Sequence, residues 1–585
     1  MNNKYDKPTI IVPCYNEQGV LPKTAKRLAL CVSVFWLVCC FVLLIPSIRN
    51  LGIRFGETLV HRSLNHFHWH QLFVTIGIYG IVLYIFFVWF LAASLFSKIA
   101  SKTFDIFVMT ISLIFVFIIN YKAGWTFGDD IDYILTTVVN KYIPLSYTIG
   151  MGRFPPFKNL QYNFPLFVFR CLGINTGLPL EVHFAVISVL YIVTVCCLYF
   201  IFSRIDSVET AGTRSVFNCF FACTFFLLES SFSRVFLDLI YPETQVIMQF
   251  SIFMLMYYKA LRTDKIRYYA IALLSAIFST YCKEPVFGVF LIIAFINYLF
   301  RYKEKSEREK VFYIALIANG IIFIILYYFL SYKKATILYT ENKTSIIGFK
   351  FLLSIFIRSP ILIIMFTFGL FRLYSIIVRK NRDHLFYDSL LFAGIGYVFA
   401  FIVLHFNMSY YFLPSIILFL PSIVYWIKYL SYHRRVFSVA LFIILLIYTY
   451  NSGKTVEQIR ITLRERQEFM PYMVNLFSAH NDGKEFIWYE SDNRKNDNTF
   501  YIHVRNWRKH NINTFLNYIN KSEGKDFFVV EKNTDNINMK KNIYFFYPAE
   551  NDQYDPMQDK LIKILQNNNF VLYKDAYGIL IYRQH

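Results

Sequence analysis

The stretch Val311-Phe-Tyr-Ile-Ala-Leu-Ile-Ala-Asn-Gly-Ile-Ile-Phe-Ile-Ile-Leu-Tyr-Tyr-Phe-Leu330 contains no charged residue over 20 positions. An apolar helix of this length can cross the hydrocarbon core of a bilayer, and it satisfies its own backbone hydrogen bonds there. Comparable runs occupy residues 28–48, 72–96, 104–120, 182–202 and 436–450, and weaker or interrupted runs follow Ser215, Val246, Tyr268, Val286, Phe349, Tyr387 and Phe412. We therefore predict an all-α polytopic membrane domain with about thirteen transmembrane helices.

The composition agrees with this class. Of the 585 residues, 56% are hydrophobic and 20% aromatic, which is more apolar side chain than a soluble core of this length needs. The net charge of +21 is spread over short loops between the apolar runs and does not form one stripe, so it indicates membrane topology and excludes nucleic-acid binding. The ten cysteines all lie between Cys14 and Cys282, mostly inside apolar runs, and imply no disulfide framework.

The basic loops predict which side of the membrane each segment faces. With the N-terminus in the cytoplasm, six short loops fall inside, nearly all of them rich in Lys and Arg: residues 98–102, 203–214, 262–267, 301–310, 379–382 and 433–435. The short basic loop at 332–344 opposes this count. We predict a cytoplasmic segment 1–27, a transmembrane domain 28–450 with an outer loop at 122–163, and an extracytoplasmic tail 451–585.

The tail predicts a small α/β domain. Apolar strands are expected at residues 485–489, 526–531 and 542–547, and a closing hairpin at 571–582 turns around residues 575–578. Helical patterns such as residues 559–566 lie between these strands. No glycine-rich loop, metal-ligand spacing or nucleophile motif occurs in the tail, which indicates a structural cap or an acceptor-docking domain.

Three acids begin the outer loop, in the sequence Gly124-Trp-Thr-Phe-Gly-Asp129-Asp130-Ile-Asp132-Tyr133. Apolar residues at 131, 134, 135 and 138 predict an amphipathic helix along the membrane surface, with Asp129 or Asp130 near its start. Asp129 alone could serve as a helix cap. Two adjacent carboxylates raise one another's pKa, however, which suits a general base, a metal ligand or a recognition pair.

Further ionisable and aromatic residues follow at outer helix ends. Arg153, in Gly152-Arg-Phe-Pro-Pro156, is a candidate partner for a lipid-linked phosphate, or it extends to lipid headgroups. The other candidates are Glu243, Lys283, Glu284, His405 and Tyr410. Charges near membrane depth are costly and usually face a cavity or each other, so we predict one extracytoplasmic site. Alternatively, Lys283 and Glu284 form a structural ion pair with each other.

Together, the outer loop with paired acids, the Gly-Arg-Phe element, Tyr241-Pro-Glu243, Lys283-Glu-Pro285 and the outer tail resemble the GT-C glycosyltransferases. The pattern is most similar to bacterial serotype-converting enzymes that glucosylate O-antigen. The resemblance spans about residues 104–585 and implies transfer of a sugar from a polyprenyl-phosphate carrier to a surface glycan at the bacterial inner membrane. It implies that Asp129 or Asp130 takes the acceptor proton and that Arg153 and Lys283 bind the donor phosphate.

In the same scheme the remaining candidates position the substrate: Asp132, Glu243, Glu284, His405 and Tyr410. An added hairpin at residues 28–96 departs from the family pattern. Its outer loop carries His61, His66, His68 and His70, which we interpret as a solvated interfacial loop because no carboxylate or Cys accompanies them. No cofactor is certain, although a divalent cation would suit the paired acids.

The first residues carry a separate resemblance. Residues 8–26, which include Thr9-Ile-Ile-Val-Pro-Cys-Tyr-Asn-Glu17, resemble the opening of GT-A polyprenyl-phosphate sugar synthases. The Asp-x-Asp metal motif and the remainder of that domain do not follow, so we interpret the segment as a truncated remnant.

Two other function classes remain open. An O-antigen polymerase is also many-spanned with large outer loops. A transporter or lipid flippase would place ionisable groups near the bilayer midplane, often in two related halves, and no internal repeat is visible here.

Overall fold

The computed structural model describes residues 38, 41–42, 44–60, 136–138, 140–143, 152–205, 235–236, 242–301, 305–334, 349–359, 361–404, 406, 408–431, 485–489, 528–531, 543–546, 563, 566–567, 569–576 and 579–584. Within these ranges the chain forms eleven α-helices and five β-strands.

The helices in chain order are α1 (Pro46–Val60), α2 (Leu160–Cys171), α3 (Leu180–Ile205), α4 (Glu243–Thr263), α5 (Ile266–Cys282), α6 (Val286–Arg301), α7 (Glu307–Leu330), α8 (Phe349–Arg358), α9 (Ile361–Ile377), α10 (Leu385–Val403) and α11 (Leu413–Ser431). Two 3₁₀ turns, Tyr332–Lys334 and Ser409–Phe412, follow α7 and precede α11.

Three helical segments in the described residues are long and apolar enough to cross a membrane by length and composition: Glu181–Ile201 within α3, Glu307–Leu330 and Leu385–Val403. They confirm the helices predicted at residues 182–202 and 311–330 and after Tyr387. Four shorter apolar helical segments are Ile266–Cys282, Val286–Phe300, Ile361–Ile377 and Ser409–Ile423. The predicted total of about thirteen spans includes runs outside the described residues and stays a prediction.

The helices pack around α4, α5 and α6. Helix α4 contacts α3 and α5, α5 contacts α7, and α6 contacts α7 and α10. Aromatic side chains fill this core: the Phe253 and Phe290 rings lie 4.9 Å apart, and the Tyr257 and Phe312 rings 5.6 Å apart. Such pairs add to the burial of apolar area. The packing also places the start of α4 beside the end of α5.

Local sequence explains two differences from the predicted boundaries. A span was predicted to end at residue 48, but α1 covers Pro46–Val60, because a proline suits the first position of a helix while Arg49 and Arg54 end the apolar run. The run after Phe349 is divided into α8 and α9 at Ser359, the residue before a proline, where helical geometry is disfavoured.

The predicted outer loop at residues 122–163 overlaps a helix at its end. Helix α2 begins at Leu160. The last residues of the predicted loop are therefore part of a helix.

The five strands are β1 (Glu485–Tyr489), β2 (Phe528–Glu531), β3 (Ile543–Phe546), β4 (Phe570–Ala576) and β5 (Ile579–Gln584). Their order in the sheet is β2-β1-β3-β5-β4. Strand β1 is parallel to its neighbours β2 and β3, whereas β5 is antiparallel to β3 and β4. The β4–β5 pair, with Ala576 opposite Ile579, confirms the closing hairpin.

Parallel neighbours need crossover connections, which are usually helical. The pairing of β1 with β2 and β3 therefore favours the α/β arrangement predicted for the tail. Nearly all of the connecting chain lies outside the described residues, and the domain as a whole stays a prediction.

The chain divides into two compact units. One comprises residues 1–96 and 426–454, and the other comprises residues 97–425 and 455–585. All of the candidate site residues fall in the second unit.

A buried ion pair joins α9 to α10. Arg372 donates from Nε and Nη2 to the two carboxylate oxygens of Asp388, both at 2.7 Å, and from Nη1 to Ser375 at 3.2 Å. Both charged side chains are almost fully buried, at 1% and 0% exposure. Two-point geometry and a third acceptor offset part of the cost of removing both ions from water.

Loss of one member of this pair should destabilise the fold strongly. We expect Arg372→Met to lower the free energy of unfolding by about 3 kcal/mol, because Asp388 is left as an uncompensated buried charge. The double variant Arg372→Met/Asp388→Leu should recover most of that loss. Thermal unfolding of the purified protein in detergent measures both, and a double variant no more stable than the single one would contradict this view of the pair.

Candidate functional site

The loop at residues 152–159, which carries Arg153, is held against the start of α4 and the end of α5. The Phe157 backbone N–H donates to the Tyr281 carbonyl of α5 at 2.9 Å. Gln245 on α4 donates from Nε2 to the Lys158 carbonyl at 2.9 Å. Gly152, with φ of 73°, turns the chain through the left-handed region that favours glycine. These bonds place Arg153 above the turn between α5 and α6.

Arg153 pairs with Glu284 in that turn. Its Nε donates to Oε1 and its Nη2 to Oε2, both at 3.1 Å, and the two side chains are 29% and 18% exposed. Burial would raise the pKa of the Glu284 carboxyl, but the charge and hydrogen bonds of Arg153 outweigh it and hold that pKa below its usual value. Glu284 is therefore ionised around neutral pH.

Lys283 pairs with Glu243, the first residue of α4. Its ammonium donates to Glu243 Oε1, and the side chains are 4% and 0% exposed. Burial lowers the pKa of Lys283 well below its usual value, and the charge of Arg153 acts in the same direction. As an ammonium and a carboxylate, the two side chains carry opposite charges. Lys283 and Glu284 thus have separate partners and do not form the mutual ion pair that the sequence allowed.

Aromatic rings flank Lys283 on the side of α10 and the 3₁₀ turn before α11. The Lys283 Nζ lies 4.4 Å from the Tyr411 ring centroid and 5.5 Å from that of Phe401, distances at which a ring face attracts a cation. Tyr410 reaches this group through Tyr411, because their ring centroids are 4.2 Å apart. The predicted residue Tyr410 therefore lies at the edge of the cluster.

Two tyrosines that the sequence did not indicate, Tyr327 and Tyr397, also lie around these ion pairs. Tyr327, in the last turn of α7, donates its hydroxyl to the Gly152 carbonyl at 3.1 Å. Tyr397 lies one helical turn before Phe401 on α10, with ring centroids 5.1 Å apart. The Tyr397 hydroxyl and Glu243 Oε2 are buried and have no hydrogen-bond partner among the described residues. Nothing distinguishes either tyrosine in the sequence, where 44 tyrosines occur.

The segment that follows the three acids is anchored by buried hydrogen bonds. Thr137 Oγ1 lies 3.1 Å from His183 Nε2 on α3. Arg170 on α2 donates to the side chain and the carbonyl of Asn140 at 3.1 and 2.6 Å. Gly177, with φ of 85°, passes so close to Val138 that an added Cβ would lie 2.1 Å from its carbonyl oxygen. The chain leaving the predicted acid-bearing helix is therefore tightly positioned.

Four predicted site residues lie outside the described residues: Asp129, Asp130, Asp132 and His405. The histidines at 61, 66, 68 and 70, interpreted as a solvated loop, lie outside them as well. In the described part of the chain, no group of three His, Cys, Asp or Glu side chains could hold a metal ion. A divalent cation at Asp129 and Asp130, which lie outside those residues, stays a prediction.

The arrangement brings four of the predicted residues together. Two cations and two carboxylates, from three separate segments of the chain, meet at one end of the helices beside aromatic rings. The outer pair is partly exposed and the inner pair is buried. Such a site can bind an anion at its accessible guanidinium.

No protein-family model matches the chain, and no curated protein matches it. Among solved structures, the chain is similar to the crystal structure of ArnT from Cupriavidus metallidurans in the apo state. The TM-score is 0.45 and the sequence identity 9%, with 83% of this chain and 98% of that chain covered. A similarity of this degree assigns neither a site nor an activity.

Proposed function

We propose that this chain is a membrane glycosyltransferase. It transfers one sugar, a hexose such as glucose, from a polyprenyl-phosphate carrier to a hydroxyl of O-antigen or another surface glycan. The reaction takes place on the extracytoplasmic side of the bacterial inner membrane. The observation that carries the proposal is the meeting of Arg153–Glu284 and Lys283–Glu243 at one end of apolar helices, where a lipid phosphate and a polar sugar can both arrive.

The proposed reaction is a single displacement. The acceptor oxygen forms a bond to the sugar's anomeric carbon, while the bond from that carbon to the phosphate oxygen breaks and its electron pair leaves with the polyprenyl phosphate. The acceptor proton passes to Asp129 or Asp130. A positive group near the phosphate favours this step because negative charge grows on the leaving group.

Exposure separates the roles of the two cations. Arg153 is 29% exposed and its guanidinium carries five N–H donors in a planar fork that matches phosphate. Lys283 is 4% exposed and bonded to Glu243. We therefore assign phosphate contact mainly to Arg153, with Lys283 and Glu243 as positioning residues. Asp132, His405 and Tyr410 remain candidates for positioning the sugar.

Substitutions at the acids and at Arg153 should slow glycan modification. We expect Asp129→Asn or Asp130→Asn, whichever removes the base, to lower the transfer rate about 100-fold. Arg153→Lys should lower it at least about tenfold, because an ammonium cannot reproduce two-point contact with an anion. Mass spectrometry of the surface glycan from a deletion strain carrying each variant measures the added sugar.

Arg308→Lys is the matched control. Arg308 lies in the first turn of α7, at the end of the helices away from the site, and its side chain is 57% exposed. It should modify the glycan like the wild type. Shortened glycan chains in the deletion strain would instead indicate a polymerase, and an unchanged glycan with accumulated lipid-linked sugar would indicate a flippase. Full modification by both acid variants would remove the catalytic assignment.

The sidedness of the site can be measured directly. Asp383 precedes α10 and Met408 follows it, and both are exposed. In a variant without the ten native cysteines, Met408→Cys should react with an impermeant maleimide on intact spheroplasts, whereas Asp383→Cys should react only after permeabilisation. The reverse pattern would place the site in the cytoplasm and contradict the proposed donor and acceptor.

A further inference from the structure

Glu284 places a negative charge beside the guanidinium proposed to meet the phosphate. Its two oxygens occupy Nε and Nη2 of Arg153 at 3.1 Å. An arginine fork commonly presents two such parallel N–H groups to a phosphate. A phosphate approaching Arg153 therefore meets the Glu284 carboxylate as a competitor and as a like charge.

Each of the two cations that meet at the site has a carboxylate partner, and Lys158 is a further cation near Lys283. Lys283 and Glu243 neutralise each other at the buried position, and Arg153 and Glu284 do so at the accessible one. Like charges a few ångströms apart in a partly buried site repel strongly, because the surroundings screen them less than bulk water does. The number of charges on the ligand should thus control its affinity.

The donor and product of the proposed reaction differ in this number. A polyprenyl-phosphate sugar is a phosphodiester with one negative charge. The polyprenyl phosphate left after transfer is a monoester with a second pKa of about 6, so it carries close to two charges at neutral pH. The difference of one charge arises at the atoms that face Arg153.

We propose that Glu284 is a specificity-determining residue that makes the site favour a singly charged phosphodiester over a doubly charged phosphomonoester. This inference rests on the proposed function. It gives Glu284 a role beyond orienting Arg153: once the sugar has left, the growing charge on the phosphate is repelled and the lipid product is released. The same repulsion disfavours rebinding of free polyprenyl phosphate from the membrane.

The pH dependence of this lipid preference comes from titration of the phosphomonoester and not from titration of Glu284. Arg153 holds the pKa of Glu284 below its usual value, so this carboxylate stays ionised while the monoester titrates near pH 6. Among the described residues, the charged and titratable groups of this cluster are Arg153, Lys158, Glu243, Lys283, Tyr327, Tyr397 and Tyr411. Discrimination should therefore be present above pH 7 and fade as the pH falls through 6.

Binding of two lipids to the full-length protein in nanodiscs tests the inference. The probes are a short-chain polyprenyl-phosphate glucose and the same polyprenyl phosphate without glucose. At pH 8 we expect the wild type to bind the phosphodiester about tenfold more tightly than the monoester, and at pH 5.5 this ratio should approach one. Glu284→Gln should tighten the binding of both lipids at pH 8, but that of the monoester about tenfold more than that of the phosphodiester, so that the ratio falls toward one.

Glu307→Gln provides the matched control, because Glu307 is 85% exposed at the other end of the helices and its loss should leave the ratio unchanged. Equal weakening of both lipids by Glu284→Gln would show that Glu284 only holds Arg153 in place, and it would overturn the inference. A wild-type ratio that is near one at pH 8, or independent of pH, would overturn it without any variant. Failure of the wild type to bind either lipid would instead overturn the proposed function, and the inference with it.

Discussion

The pairing of Arg153 with Glu284 and of Lys283 with Glu243 at one end of the helices is the constraint on which the rest of this site depends. An unpaired ion near a membrane core costs several kcal/mol, so a lysine as buried as Lys283 requires a partner. Glu243 supplies it from the start of α4, where the partial positive charge of a helix N-terminus also favours a carboxylate. This contact joins the end of α5 to the start of α4, next to the turn that presents Glu284.

Hydropathy predicted the parts of the fold whose side chains face lipid or a continuous core. The runs at residues 182–202 and 311–330 became helices because twenty uncharged residues have no other way to satisfy their backbone in hydrocarbon. Hydropathy predicted the wrong boundary for α1, because the arginines of α1 end the apolar run but do not end the helix. The division between α8 and α9 shows the opposite case, an apolar run interrupted by a proline.

The sequence also predicted that residues far apart in the chain lie close together in the structure. Arg153, Glu243, Lys283 and Glu284 were expected at one boundary because charges at several outer helix ends need one another. It could not predict which carboxylate pairs with which cation, because adjacent residues in a turn, such as Lys283 and Glu284, can point in different directions. Nor could it select Tyr397 or Tyr327, since an aromatic residue in an apolar helix carries no signal of its neighbours.

The two ion pairs differ in burial, and they therefore differ in how easily a ligand can change their contacts. Removing one partner from the buried Lys283–Glu243 pair would leave an unpaired charge at 0% or 4% exposure, so this pair resists change. Arg153 and Glu284 retain contact with solvent, and water can replace part of what either loses when a ligand arrives. A rigid inner pair beneath an exchangeable outer pair therefore allows the site to accept an anion at its rim without disturbing the packing of α4, α5 and α6.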